Sequence, residues 1–339
     1  MKSVPSFDSA RTFASCFFRT AALALFAWPW LIPRANAQDA QKAAGIQPSP
    51  CVSPAMAQLL TREANSIRVR PNIGFAAQQP GYRENEKGIA LTQSQDTART
   101  LREAYTWFEN AARKGYAPAQ VNLAVLSLAG WGAPPNAGDA LYWLREAARQ
   151  GYALAYFDLG VLYLQGCGVR QDYTEAFIQF EQGANAGDPA AQMNLAYLYD
   201  QGLGVAQNRA RAAALYRQAA DAGLPQAQYN LADLYLRGEG VPQDDRAAFA
   251  LFQKAAQQGH TTARTMLGMM YAQGRGTKPD PESAYAWLTA AAQQGDTRCE
   301  AALVRLERKL TATQIAEAKS RAQNLTQPAS RPSQLAVLH

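Results

Sequence analysis

The sequence predicts an all-α protein, a right-handed α-solenoid of antiparallel helix pairs with a 36-residue period. Three observations predict it. Glycine recurs every 36 residues at Gly115, Gly151, Gly187, Gly223, Gly259 and Gly295. A second pair of glycines keeps the same beat: Gly130/Gly132, Gly166/Gly168, Gly202/Gly204, Gly238/Gly240 and Gly274/Gly276. Four residues after each pair stands a strong helix N-cap: Asn136, Asp172, Asn208, Asp244 and Asp280.

The first helix of each unit, helix A, is read from apolar and small residues spaced i, i+4, i+8, as in Ala119, Leu123 and Ser127. Leucine keeps the beat at Leu159, Leu195, Leu231, Leu267 and Leu303, and tyrosine at Tyr163, Tyr199, Tyr235 and Tyr271. Alanine at Ala119, Ala155, Ala191, Ala227 and Ala263 allows close helix approach. The glycine pair supplies the positive φ of a sharp exit. Helix B then starts at the N-cap column, with a capping box expected at Asp172 and Glu175 and Pro281 at a first helical position. It carries an apolar face such as Ala140, Trp143, Leu144, Ala147 and Ala148, and stops at the 36-beat glycine. One such pair cannot bury its apolar face alone, so neighbours must stack.

Outside the array the signals change. Lys2, Arg11 and Arg19 precede an apolar run from Ala21 to Pro33, and Ala35-Asn36-Ala37 offers a cleavage site. This is the layout of a secretory leader cleaved after Ala37. The apolar run is too short to span a bilayer comfortably, and no second run of spanning length follows. The whole chain has a formal net charge of +6; without residues 1–37 it is +3, from 29 Lys and Arg against 26 Asp and Glu. That excludes a nucleic-acid stripe. Apolar residues make up 48%, which excludes a disordered chain. Export implies an oxidising compartment, but Cys51, Cys167 and Cys299 allow at most one internal disulfide. Cys299 falls in an alanine slot and is expected to be packed, Cys167 to be exposed, and a Cys51–Cys167 bridge is possible.

The predicted organisation is a signal peptide at 1–37, an N-terminal capping and loop segment at 38–96, and an unpaired helix B at 97–115. Five complete units at 116–295, capping helices at 296–325 and a disordered tail at 326–339 follow. Thr100-Leu-Arg-Glu103 reads as a capping box opening the unpaired helix B. Residues 69–96, with Pro71, Gly74, Pro80, Gly81 and Gly88, read as loop. A helix from Ser53 to about Ile67, bearing Met56, Leu59, Leu60 and Ile67, is expected to replace the missing first helix A.

The run Ala191-Gln-Met-Asn-Leu195-Ala-Tyr-Leu-Tyr199-Asp-Gln-Gly202-Leu-Gly204-Val205, with Ala219-Ala220-Asp-Ala-Gly223, resembles a Sel1-like repeat, a tetratricopeptide variant with a longer internal loop. The resemblance covers residues 97–310. Ser127, Ala133-Pro134-Pro135 and Thr277 depart from its pattern. It implies a scaffold or adaptor. Exported bacterial members include regulators of sensor proteins, assembly factors for secreted polysaccharide and host-interaction proteins.

Catalytic patterns are absent from the sequence: no Ser-x-x-Lys, Gly-x-Ser-x-Gly, His-Glu-x-x-His or Cys-x-x-Cys occurs, and the histidines are His260 and His339 alone. No enzyme, cofactor, metal site or nucleic-acid partner is expected. The alternative, a hydrolase of β-lactam or cell-wall substrates, belongs to a cysteine-rich branch of the resembled family whose cysteine pairs this chain lacks. A protein or peptide partner is expected on the concave face of helix A. By the resemblance, that face is lined by the columns Val121, Phe157, Met193, Tyr229, Thr265 and Val125, Val161, Tyr197, Asp233, Met269. An amide column, Asn122, Asp158, Asn194 and Asn230, runs beside them. With the first repeats partly self-covered, the expected binding residues are Phe157, Met193, Asn194, Tyr197, Tyr229, Asn230 and Asp233. The expected compartment is the periplasm.

Overall fold

The computed structural model describes residues 78–93 and 98–326. The expected leader, the helix expected at 53–67, Cys51 and the chain beyond Thr326 lie outside the described residues. The described residues are helical throughout, without strands, and consecutive helices pack in pairs. The chain divides into two compact units, Met1–Ala140 and Leu141–His339.

In the first unit, α1 (Tyr82–Gln93) pairs with α2 (Ala98–Arg113), and α2 packs on α3 (Ala117–Ala129). The residues read as loop therefore contain a helix, and α2 is not unpaired: α1 takes the helix A place in front of it. The physical reason is Gly88. A β-carbon there would lie 2.6 Å from the Phe108 ring, so this glycine is a contact point between helices rather than a loop residue. Asn85 is buried on α1 and accepts from Asn122 Nδ2 on α3 at 3.0 Å. Thr100 lies inside α2, two residues past its start, and so does not cap it.

α4 (Ala137–Arg149) carries the chain across the division. The second unit continues with α5 (Ala153–Gln165), α6 (Tyr173–Asn185), α7 (Pro189–Gln201), α8 (Arg209–Asp221), α9 (Pro225–Arg237), α10 (Asp245–Gln257), α11 (Thr261–Gln273) and α12 (Pro281–Ala292). A 3₁₀ turn at Thr297–Cys299, the short α13 (Glu300–Glu307) and α14 (Ala312–Thr326) close it. The helix A columns form the core: Ala155, Ala191, Ala227 and Ala263 are fully buried, and Leu159, Leu195, Leu231 and Leu267 almost so. Burying each leucine contributes about 2 kcal/mol.

Two turns alternate. Within a repeat, helix A ends at a left-handed glycine, for example Gly202 at φ 68°, whose N–H bonds the Leu198 carbonyl. The second glycine, Gly204 at φ 69°, follows. The N-cap side chain then opens helix B: Asp172 accepts from Thr174 and Glu175 N–H, Asn208 from Arg211, Asp244 from Arg246 and Ala247, and Asp280 from Ser283. Asn136 does the same for Gly138 and Asp139. The reciprocal half of the expected capping box at Glu175 is not made. The Asp172 N–H donates to the Tyr163 carbonyl at 2.9 Å instead, and Asn208, Asp244 and Asp280 donate to Tyr199, Tyr235 and Tyr271 in the same way. The tyrosine column thus marks where each loop is tied back to helix A.

Between repeats, the 36-beat glycine at positive φ reverses the chain, and the next residue donates five positions back, as from Asp188 to Gly183 and from His260 to Ala255. A side chain on helix A clamps this turn. Gln228 Nε2 and Arg264 Nε reach the Ala220 and Ala256 carbonyls, each eight residues earlier.

The array ends on α14, which packs along α12. Thr311 and Gln314 bond reciprocally as its cap. Arg264 stands where Gln228 stands one repeat earlier, and its spare Nη2 donates to the Leu325 carbonyl at 2.7 Å. Cys299 is fully buried in the alanine column. Cys167, expected at the surface, is only 7% exposed, and its thiol faces Gln165 Oε1 at 3.8 Å. Its N–H bonds the Leu162 carbonyl, and that holds it against the end of α5.

Candidate interaction surface

The A helices α7, α9 and α11 are each packed on two sides, by their own helix B and by helix B of the preceding repeat. This divides the expected binding residues into two sets. Phe157, Met193 and Asn194 are interior, at 5–6% exposed. The Phe157 ring centre lies 6.1 Å from that of Phe180 on α6, and Asn194 Nδ2 donates along its own helix to the Ala190 carbonyl at 2.8 Å. Val161 is interior as well. Pattern reading placed these columns on an open face because it counted only one packed side of helix A.

Tyr197, Tyr229, Asn230 and Asp233 remain half-buried, on α7 and α9. Tyr229 is held between Phe252, 5.5 Å away, and a His260 ring stacked at 4.9 Å. Burial pushes its hydroxyl up to about 12. Asn230 Oδ1 accepts from Gln226 Nε2 at 2.9 Å, and Gln226 Oε1 in turn lies 2.7 Å from His260 Nε2. His260 Nδ1 accepts the Ala263 N–H, so Nε2 carries the ring proton and donates to Gln226. Desolvation drops the imidazole to about 4. Asp233 pairs with Arg237 at 2.9 Å. Burial raises its carboxyl despite that arginine. Burial likewise raises the Tyr197 hydroxyl.

The surface is therefore aromatic and amide-rich, with one ion pair at its edge. Gln226, His260 and Arg237 belong to it and were missed from sequence. Gln226 and Arg237 precede and follow Asn230 and Asp233 by four residues on the same helix face, a spacing the sequence does display. His260 is neutral and spends both nitrogens on structural bonds. Among the described residues no group of three or more His, Cys, Asp or Glu side chains could hold a metal, and no helix is long and apolar enough to cross a membrane.

The family model described as Sel1 repeat matches residues 88–116, 117–152, 153–188, 189–224, 225–260 and 261–296. The first match begins inside α1. Among solved structures, a Sel1 repeat protein from Oxalobacter formigenes is 32% identical, with a TM-score of 0.61 over 74% of this chain and 76% of that one. The protective antigen c5321 of uropathogenic Escherichia coli, described as displaying an SLR fold, is 26% identical, with a TM-score of 0.49 over 74% of this chain and 62% of that one. Comparison with curated proteins gives no match.

Proposed function

The chain belongs to the Sel1 repeat family, a protein-interaction scaffold type, and from that premise we propose that it is a periplasmic adaptor gripping a protein or peptide partner on the concave face of its A helices. One observation carries the reading. Tyr197, Tyr229, Asn230 and Asp233 stay half-exposed on helices whose other faces are buried, and two of the four are tyrosines, a side chain that interfaces favour. Phe157, Met193 and Asn194 continue the same columns in the interior and fix the helices that present them. Aromatic rings held by their neighbours lose little entropy on contact, and Tyr229 is held on two sides. Export by the leader at 1–37 supplies the compartment, and envelope signalling or polysaccharide assembly are the processes it would serve.

Photo-crosslinking in exporting cells tests this. A crosslinking residue at Tyr197 or Asp233 is expected to trap one partner, while the same residue at Ile178, exposed on α6, traps none. Equal labelling at all three positions refutes the surface. A protein retaining Met1 in the cytoplasm refutes the compartment, because the mature chain is expected to start at Gln38.

A further inference from the structure

One column of helix A holds an amide in three repeats and an acid in the fourth: Asn122, Asp158, Asn194, Asn230. The amides use their hydrogens. Asn122 Nδ2 donates to Asn85 Oδ1, and Asn194 Nδ2 donates to the carbonyl four residues back. A carboxylate has no hydrogen to give. Asp158 nevertheless sits at the same place, 6% exposed, with Oδ2 buried and without a hydrogen-bond partner.

The surroundings do not offset its charge. From α7 the facing group is another acid, Asp188, the N-cap residue. α6 turns its buried stripe Ala176, Phe180 and Gly183 inward, while its acids Glu175 and Glu181 are only half-buried. On α4, Arg145 donates to the Tyr163 hydroxyl, and Arg149 pairs with Glu146. Burial raises both facing acids, and Asp188 is the better placed of the two to stay charged because backbone donors oppose the rise. Its Oδ2 accepts the Ala191 N–H at 2.8 Å at the positive end of α7. Asp158 has no such donor.

We propose that Asp158 is a neutral carboxylic acid in the folded repeat, supplying the donor hydrogen its asparagine neighbours supply, and that its ionisation toward alkaline pH loosens the junction between residues 153–188 and 189–224. By analogy with Asn194, which donates to the carbonyl four residues back, the acceptor would be the Leu154 carbonyl, with the facing Asp188 as the other candidate. Burial first, and then the Asp188 charge, pushes the Asp158 carboxyl up to about 8. The folded state thus holds a proton that the unfolded chain has released above about pH 4. Where the folded state binds more protons, stability falls as pH rises. The penalty is absent below about pH 4, grows through neutrality and is complete above about pH 8. This holds whether or not the surface on α7 and α9 binds a partner.

The test compares melting midpoints of the full chain and of Asp158→Asn between about pH 4 and about pH 9. The variant is expected to match or trail the wild type at the acid end and to exceed it by a margin that widens to about pH 8. Titration of groups remote from the pair cancels in the difference, which therefore reads Asp158 together with its facing Asp188. Parallel curves overturn the proposal. Should the variant fail to fold, hydrogen exchange on the wild type decides: amides of α5 and α7 should lose protection at alkaline pH relative to those of α9. A uniform change overturns it. A cation between the two acids is the competing outcome. If calcium or magnesium raises the alkaline midpoint of the wild type but not of Asp158→Asn, the pair is a cation site and the proposal fails.

Discussion

The loop inside each repeat and the turn between repeats do the same geometric job with different chemistry. Both reverse the chain on a glycine at positive φ. Inside the repeat, the partners hardly vary: a second glycine, an Asn or Asp cap and a carbonyl in the tyrosine column recur five times. Between repeats, the residue that opens the next helix A is Tyr116, Tyr152, Asp188, Leu224, His260 and Asp296 in turn. The inner loop is closed by backbone, so its requirements are steric and shared. The outer turn lies between stacked helices, where side chains meet a buried neighbour, so each junction is solved separately. Titratable groups with shifted protonation collect there: Asp158 with Asp188, and His260 with Tyr229.

The largest expected effect lies in the inner loop. A β-carbon on Gly204 would stand 2.3 Å from the Tyr173 carbonyl oxygen, and a backbone group cannot swing aside. Gly204→Ala combines the left-handed cost of about 1–2 kcal/mol with an overpacking cost of about 1–3 kcal/mol. A loss of about 3 kcal/mol in denaturant unfolding is expected. A loss below about 1 kcal/mol would show that the loop relaxes and that the two turns differ less than their contacts indicate.

The second prediction uses an outer turn. His260 is neutral when folded, with its pKa lowered to about 4 by burial, against about 6.5 unfolded. The unfolded chain therefore binds the extra proton, and stability falls as pH drops from about 6.5 to about 4. Partial solvent access trims the effect to about 1–2 kcal/mol. His260→Asn keeps a capping acceptor and removes the titration. Wild type minus variant should decline over that window, the opposite slope to Asp158, and a flat difference would show that the imidazole is not held neutral.

What was legible in the sequence follows the same division. The glycine beat, the N-cap column and the alanine and leucine core are set by local sterics and repeat in every unit, so they show as columns. The helix α1 was hidden because Gly88 and the residues around Pro80 and Gly81 look like loop punctuation. Yet Gly88 falls 36 residues before Ala124 and on the beat of Gly160 and Gly268, whose added β-carbons would likewise strike Phe180 and Leu288. Following that small-residue column one step back would have found the helix. The binding columns were harder. Whether a residue such as Phe157 or Met193 faces solvent depends on how closely neighbouring helices stack, and helical periodicity carries no information about a neighbour.

The smallest effect is expected at the turn glycine, and it separates conformation from contact. Gly187 has φ 85°, as far into the left-handed region as any inner-loop glycine, but a β-carbon there meets nothing within 4 Å. Gly187→Ala therefore bears only the backbone cost. Part of that is returned, because alanine also restricts the unfolded chain, by about 0.4–1 kcal/mol. The net loss should be about 1 kcal/mol or less. Gly223 and Gly295 share the open surroundings, so their alanine variants should agree with it closely. Denaturant midpoints of Gly187→Ala and Gly204→Ala, measured side by side with unchanged slopes, give the contrast directly. Equal losses would mean that positive φ alone governs both columns. A gap of about 2 kcal/mol would assign the difference to the Tyr173 backbone pressed against the inner loop.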